Sequence, residues 1–385
     1  MGESGASTAA PMRVLVGITG RPGSKQAARK LLESGADVVG ATIVCGQSQA
    51  WQQVEESAAE TCRELGVSHT VIHAEGVFER EVIAQAARDR ARRLEPDVEA
   101  LFTSRVLLSQ LAWAADTAAY THIATGHVAR IRHRENSADA STSGEPPAND
   151  ENDTNVLLDK QCRPIVSTAG HTSDAAARFE LGRIKDAAAD QSRLLAAVDA
   201  SLLERLLLPN CEPTEQTPRL APELVEAEVL IAQAGASDLP GDIVDKAGNV
   251  IGHHEGLSHY RLKQLVSRIA SDTGESLYVV RKNAPMRHLV VGTAQQAQAS
   301  ECLVNDINWL IEPPVGQTRV LAQLAQGESP VAAMLEVMGG MAMLCGSVGA
   351  LTRLMLDKAS INIVPGQLAA FYDENGRAIA SGFLA

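Results

Sequence analysis

Aromatic residues are scarce in this 385-residue chain: Phe, Trp and Tyr together make up 3% of it. A core with so few rings has to be assembled from Ala, Val, Leu and Ile, and the 45% hydrophobic share supplies them. Close cysteine pairs are missing too. The six cysteines, at 45, 62, 162, 211, 302 and 345, form no CxxC. That excludes the common zinc spacings and gives no sign of a disulfide scaffold. Free thiols in a reducing compartment are expected, and with them a cytoplasmic location. No run of 18 uncharged apolar residues occurs, so no membrane-spanning helix is expected. No basic segment leads into an apolar run at the start, so no secretory signal is expected. Positive charge is also short: 34 Lys and Arg stand against 47 Asp and Glu, a net charge of −13. An acidic surface of this size repels a phosphate backbone and argues against strong nucleic-acid affinity.

What is present is organised as alternating elements. Residues 1–11 are Ser-, Ala- and Gly-rich and read as a disordered leader. Residues 13–19 are a continuous apolar run of strand type. The turn Gly20-Arg21-Pro22-Gly23 follows, and Ser24 is placed to cap a helix that Gly35 stops. Further strands are expected at 38–44, 69–73 and 121–125, with helices at 51–65, 78–94 and 104–118 between them. Continuous rather than alternating apolar strands imply a parallel sheet covered by helices on both faces. Ligands in such sheets sit at the carboxyl ends of the strands, where Gly20–Ser24 and Gly126-His127 both fall.

Residues 134–177 read as an insertion; its stretch 134–155 is rich in Ser, Asn, Asp, Glu and Pro. Prolines at 209, 213, 218 and 222 mark a linker. Beyond it short β-type runs take over, at 242–245, 277–280, 288–291, 331–337, 359–364 and 368–372. The expected domains are 12–208, a linker and small central domain at 209–299, and an antiparallel β-barrel at 300–385. The turn Gly20-Arg21-Pro22-Gly23-Ser24-Lys25 opens a helix whose first N–H groups attract anions, and its Ser and Lys add to that. The same turn also reads as a plain strand-to-helix connection; it lacks the GxxxxGK spacing. His253 and His254 have no ligand partners at metal spacing, so no metal site is expected there.

The stretch Ile123-Ala124-Thr125-Gly126-His127-Val128-Ala129-Arg130-Ile131 carries more information through its surroundings. With the strand at 12–19 and its Gly-rich turn, Pro96-Asp97-Val98 and Asp190-Gln191-Ser192, in that order, it resembles the tRNA-specific 2-thiouridylase family of the PP-loop ATP-pyrophosphatase class. Pro240-Gly241-Asp242-Ile243-Val244-Asp245, Gly252-His253-His254-Glu255-Gly256-Leu257 and Pro365-Gly366-Gln367 extend the likeness. The resemblance covers about 12–131 and 178–385. It implies an α/β fold with an N-terminal adenine nucleotide alpha hydrolase-like sheet, then the central domain and the barrel. It also implies ATP-dependent 2-thiolation of a tRNA wobble uridine, with ATP, Mg²⁺, tRNA and a sulfur-donor protein as cofactors and partners. The implied ATP site is Gly17, Thr19, Gly20, Gly23, Ser24, Lys25, Ile43 and Gly126; the implied tRNA contacts are Pro96, Asp97, Asp190 and Gln191.

The chain departs from the family where chemistry is done. Against the family loop Ser-Gly-Gly-x-Asp-Ser-Ser, Arg21 replaces a Gly, Gly23 the Asp, and Lys25 the last Ser. The lost Asp is a hard oxygen donor of the kind Mg²⁺ needs. In the family's Asn-Pro-Asp-Val-Leu-Cys-Asn segment, Glu95 replaces the first Asn, and the Cys position falls at or near Phe102. The second Cys position falls around Ala221–Leu224, and Cys211 is the nearest thiol. Ala189 replaces the Lys of Lys-Asp-Gln-Ser, and Leu324-Ala325-Gln326 stands where the family has Arg-Tyr-Arg. Three functions remain open on this reading: a divergent thiouridylase with impaired activity, a non-catalytic homologue binding a nucleotide or partner, and a PP-loop enzyme with another substrate.

Overall fold

The computed structural model describes residues 11–133, 179–212, 221–234, 239–266, 275–344 and 347–385. Residues 1–10 of the expected leader, the expected insertion at 134–177, Cys162 and Cys345 lie outside them. The chain divides into two compact units: Met1–Glu75, Leu107–Ile184 and Ala200–Thr217 form one, and Gly76–Val106, Lys185–Asp199 and Pro218–Ala385 the other.

The first unit is built on strands β1 (Arg13–Gly17), β2 (Asp37–Val44), β3 (Ser68–His73), β4 (His122–Ala124), β5 (Arg130–His133), β6 (Phe179–Gly182) and β7 (Leu206–Leu207). Five of them make a parallel sheet in the order β3-β2-β1-β4-β7. Val14 stands beside Val38 on one side and His122 on the other, which fixes the register. Helices α1 (Pro22–Glu33) and α2 (Gln49–Leu65) cover one face, where Ala28, Leu31, Ala58 and Cys62 pack with Val14, Val16 and Val38. The small residues matter there. A Cβ on Gly40 would lie 2.5 Å from the Cys62 sulfur, so α2 approaches the sheet only because β2 carries glycine at this point. Alternation turns Leu15 and Gly17 to the other face, and Leu111 of the helix Leu108–Thr117 lies 3.6 Å from where a Gly17 Cβ would stand. Both faces are therefore covered, which is why the strands read as unbroken apolar runs. β5 and β6 form a separate antiparallel ribbon.

Two differences from the sequence reading have local causes. Helix α1 begins at Pro22 and not after Ser24: proline suits the first helical turn because its missing N–H has no partner there in any case. Ser24 thus sits inside the helix, and its hydroxyl turns back to the Arg21 carbonyl, 3.0 Å away. The supposed linker proline Pro222 likewise opens a helix, Pro222–Ala234.

In the second unit, β8 (Gly241–Val244), β9 (Val250–His254), β10 (Leu277–Asn283) and β11 (His288–Thr293) form a sheet in the order β10-β11-β8-β9. Six further strands close into an antiparallel barrel: β12 (Ala299–Trp309), β13 (Gly316–Gln323), β14 (Val331–Leu344), β15 (Ser347–Ser360), β16 (Leu368–Tyr372) and β17 (Ala378–Leu384), in the order β12-β15-β14-β13-β16-β17. Closure removes the exposed strand edges. Val320, Ala322, Leu335, Leu354 and Phe371 fill the interior. The expected strand at 359–364 ends at Ser360, and the chain turns there. β16 is buried on both faces. Its outward-facing Leu368 packs with Ala100 and Leu194, and the fully buried Tyr372 hydroxyl donates to Gln323 Oε1 at 2.9 Å.

Tyr372→Phe keeps the ring and strands the Gln323 acceptor in the interior. The expected loss is about 1–3 kcal/mol, read as an earlier urea midpoint at unchanged slope.

Candidate functional site

At the carboxyl end of the parallel sheet, three segments far apart in sequence converge. Gly17 ends β1, and the chain turns through Gly20, whose φ of +74° lies in the left-handed region. A side chain there would also strike α2, since its Cβ would be 2.4 Å from Ser57 Cβ. The Thr19 N–H donates to Ser24 Oγ at 3.2 Å, which folds the turn onto the first turn of α1. Gly126 follows β4 and lies against this turn; its Cβ would be 2.5 Å from the Ser24 nitrogen. Asn210, fully buried, joins the two: its Nδ2 donates to the Gly23 carbonyl at 2.8 Å and to the Gly126 carbonyl at 3.2 Å. The Asn210 Oδ1 is buried without a partner. Gly17, Thr19, Gly20, Gly23, Ser24 and Gly126 are thus brought to one edge, as their order in the sequence implied. Ile43 lies two residues beyond Ala41, the partner of Gly17 on β2. Lys25 differs, because its ammonium pairs with Glu64 of α2. Nothing in the sequence pattern singled out Asn210, whose partners lie 84 and 187 residues away. His127 Nδ1 lies 2.9 Å from Thr125 Oγ1, and burial pushes its pKa down to about 4, so the ring is neutral at pH 7.

The other site residues fall in the second unit. Pro96 and Asp97 are buried. Asp97 Oδ1 accepts the Ala100 N–H at 3.1 Å and so caps the helix Val98–Phe102. Its Oδ2 accepts from Arg193 Nη1 at 2.9 Å and from the Leu368 N–H at 3.4 Å. Arg193, 3% exposed, donates also to the Leu368 carbonyl at 2.8 Å. Asp190 is completely buried and accepts from the Ser192 hydroxyl at 2.9 Å; Gln191 leads into the helix Ser192–Leu195. Both carboxylates implied as tRNA contacts are engaged inside the unit.

Neither thiol position holds a cysteine. The first, at or near Phe102, falls on Ala100 when counted without a gap against the family segment; both are buried, and Phe102 stacks edge to face on Phe78 with centroids 6.0 Å apart. In the span Ala221–Leu224 around the second, Glu223 and Leu224 are buried at the start of the helix Pro222–Ala234. Cys211 is half-buried beside Asn210. Among the described residues no group of three or more His, Cys, Asp or Glu is gathered as a metal would require.

Next to Asp97 lies a cavity of about 210 Å³ lined by Arg90, Pro96, Glu99, Arg193, Glu228 and Arg261, among others. Burial pushes the Glu99 carboxyl up to about 7; Asp97 and Glu228 add to this and Arg193 opposes it.

Two outcomes follow from this geometry. Arg193→Ala leaves the Asp97 carboxylate buried and unpaired, at an expected cost of about 3–5 kcal/mol by chemical denaturation. The folded chain also holds a proton on Glu99 that the unfolded chain releases near the ordinary glutamate value of 4.5. The stability this provides is complete below that value and is lost as pH rises to about 7. Glu99→Gln should therefore flatten the stability profile over that window and raise stability at pH 8.

Comparison with known proteins agrees with the likeness seen in the residues. Residues 12–229, more than half of the chain, match the family model described as the tRNA methyl transferase HUP domain. A protein of Synechocystis sp. named tRNA-specific 2-thiouridylase MnmA is 27% identical over 97% of this chain and 96% of its own length. One of the same name from Synechococcus sp. is 29% identical over 97% of this chain and 92% of its own. A solved structure described as a predicted subunit of tRNA methyltransferase from Methanocaldococcus jannaschii overlaps 30% of this chain and 53% of its own, at TM-score 0.22 and 22% identity, too slight to bear on the fold. The chain belongs to the tRNA methyl transferase HUP domain family and is related over nearly its whole length to the tRNA-specific 2-thiouridylases.

Proposed function

We propose that this chain is a tRNA 2-thiouridylase relative that keeps the nucleotide-binding edge of the family and has lost its two-cysteine sulfur transfer. The observation that carries the reading is the lack of a cysteine at either thiol position: Ala100 and Phe102, at or near the first, are buried in the helix Val98–Phe102, and the span Ala221–Leu224 around the second holds no Cys. A thiolate is needed to take sulfur from a persulfide, and no apolar side chain can substitute. Ala100 is also fully buried, so a cysteine restored there would not be presented to a substrate.

ATP binding is supported by the glycine-lined turn, where backbone groups do most of the work and outlive side-chain changes. Gly17, Thr19, Gly20, Gly23, Ser24, Ile43 and Gly126 are the proposed contacts; Lys25, paired with Glu64, contributes charge only if that exposed pair opens. Mg²⁺ fits this loop poorly. Gly23 offers no carboxylate, so no step is assigned to a metal held by the protein.

Binding of tRNA is the weaker half of the family reading. Pro96, Asp97, Asp190 and Gln191 remain its proposed contacts, yet both carboxylates are satisfied internally. The family Lys is Ala189, the barrel cluster is Leu324-Ala325-Gln326, and the net charge is −13. A sulfur-donor protein finds no cysteine at either family position, and Cys211 is the thiol nearest the second in sequence. A non-catalytic role, with nucleotide binding and a protein partner, is favoured by the same losses. No helix among the described residues is long and apolar enough to cross a membrane, and a cytoplasmic location is proposed.

Two measurements test this. Calorimetry with ATP and AMP at millimolar concentration should give saturable heat; none from either would show the turn to be vestigial. Purified protein supplied with ATP, Mg²⁺, a persulfide donor and unmodified tRNA should form 2-thiouridine orders of magnitude more slowly than an intact family enzyme, because members of a catalytic unit fail together. Robust product that disappears in Cys211→Ser would overturn the reading and make Cys211 the acceptor thiol.

A further inference from the structure

The cavity beside Asp97 carries a charge set that does not close on itself. Arg193 pairs with Asp97, Arg261 with Glu228, and Glu95 with Lys282. Two lining groups are left over. Arg90 makes no ion pair among the described residues, and its Nε is buried without a hydrogen-bond partner. Glu99 faces the same space and is in no salt bridge there. A buried donor left unmet is costly, so an acceptor that reaches the Arg90 guanidinium is favoured.

We propose that this cavity binds a small oxyanion, a carboxylate or a sulfate- or phosphate-type group, held by the Arg90 guanidinium and the Glu99 carboxyl. The guanidinium supplies charge-assisted N–H donors of the kind oxyanions prefer. The Glu99 carboxyl titrates at about 7, so near neutrality it can carry its proton and donate an O–H to the ligand. With the three pairs cancelling, ionised Glu99 offsets Arg90 and leaves nothing for an anion. Protonated Glu99 leaves the Arg90 charge open. An arriving anion raises the Glu99 pKa further, so anion and proton enter together. Burial above all favours the neutral form of Glu99, Asp97 and Glu228 add to it, and Arg193 opposes. About 210 Å³ lies below the roughly 300–1,000 Å³ of drug-sized pockets, which suits an occupant of few heavy atoms. The cavity includes Pro96 and Asp97, named above as proposed tRNA contacts, but the oxyanion reading does not require that tRNA binds.

Titration of the full chain with sulfate and with acetate at constant ionic strength tests it, since both stay fully ionised between pH 6 and 8. Saturable binding is expected, about tenfold weaker at pH 8 than at pH 6, as one proton on a group titrating near 7 requires. Glu99→Gln should bind equally at both pH values, with the affinity the native chain shows at pH 6. Arg90→Gln should lose binding at both; if that variant does not fold, the Glu99→Gln comparison decides. Tighter sulfate marks a phosphate-type ligand, and tighter acetate a carboxylate. Affinity that is flat or rises with pH in the native chain, no saturable binding of either probe, or unchanged binding by a folded Arg90→Gln would each overturn the assignment.

Discussion

The buried ion pair of Asp97 and Arg193 is the interaction on which the second unit turns. It ties the cap of the helix Val98–Phe102, the segment around Ser192 and the barrel strand β16 to one point, because the Asp97 carboxylate and the Arg193 guanidinium between them also engage the Ala100 N–H and both backbone groups of Leu368. Two charges removed from water are tolerable only when their remaining donors and acceptors find partners, and among the described residues no buried side-chain nitrogen or oxygen of either is left without one. The consequence for function is direct. Asp97, which the family resemblance offers as a tRNA contact, is engaged inside the unit, and the neighbouring Glu99 lines the cavity with Glu95 and Glu228.

The first unit shows a different economy of means. Its converging edge depends on glycines and backbone carbonyls, with Gly20, Gly23 and Gly126 packed so closely that a single Cβ would disturb them. Asn210 fastens this edge from within. A cradle of that kind is insensitive to the identity of nearby side chains, so nucleotide binding is the function best able to survive the substitutions at Arg21, Gly23 and Lys25. Sulfur transfer depends on particular side-chain atoms and is the function least able to.

The parallel sheet was legible because covered strands leave unbroken apolar runs, and the turn at Gly20 because glycine and proline leave few alternatives. The barrel was legible in part: 331–337 and 368–372 alternate or cluster recognisably, whereas β15 runs on from a Gly-rich stretch whose pattern gave no period. Proline misled in two places, at Pro22 and Pro222, since it serves a helix start as well as a linker. The pairing of Asp97 with Arg193 was not legible, as nothing local connects residues 96 positions apart. For the same reason the charge left over at Arg90 and Glu99 had no signature in the sequence.

The central claim is that the chain keeps its family's architecture without its sulfur chemistry. The 2-thiouridine content of total tRNA, compared between cells with and without this gene, tests that most directly. The account predicts no change. A fall in 2-thiouridine that the intact gene restores would contradict it.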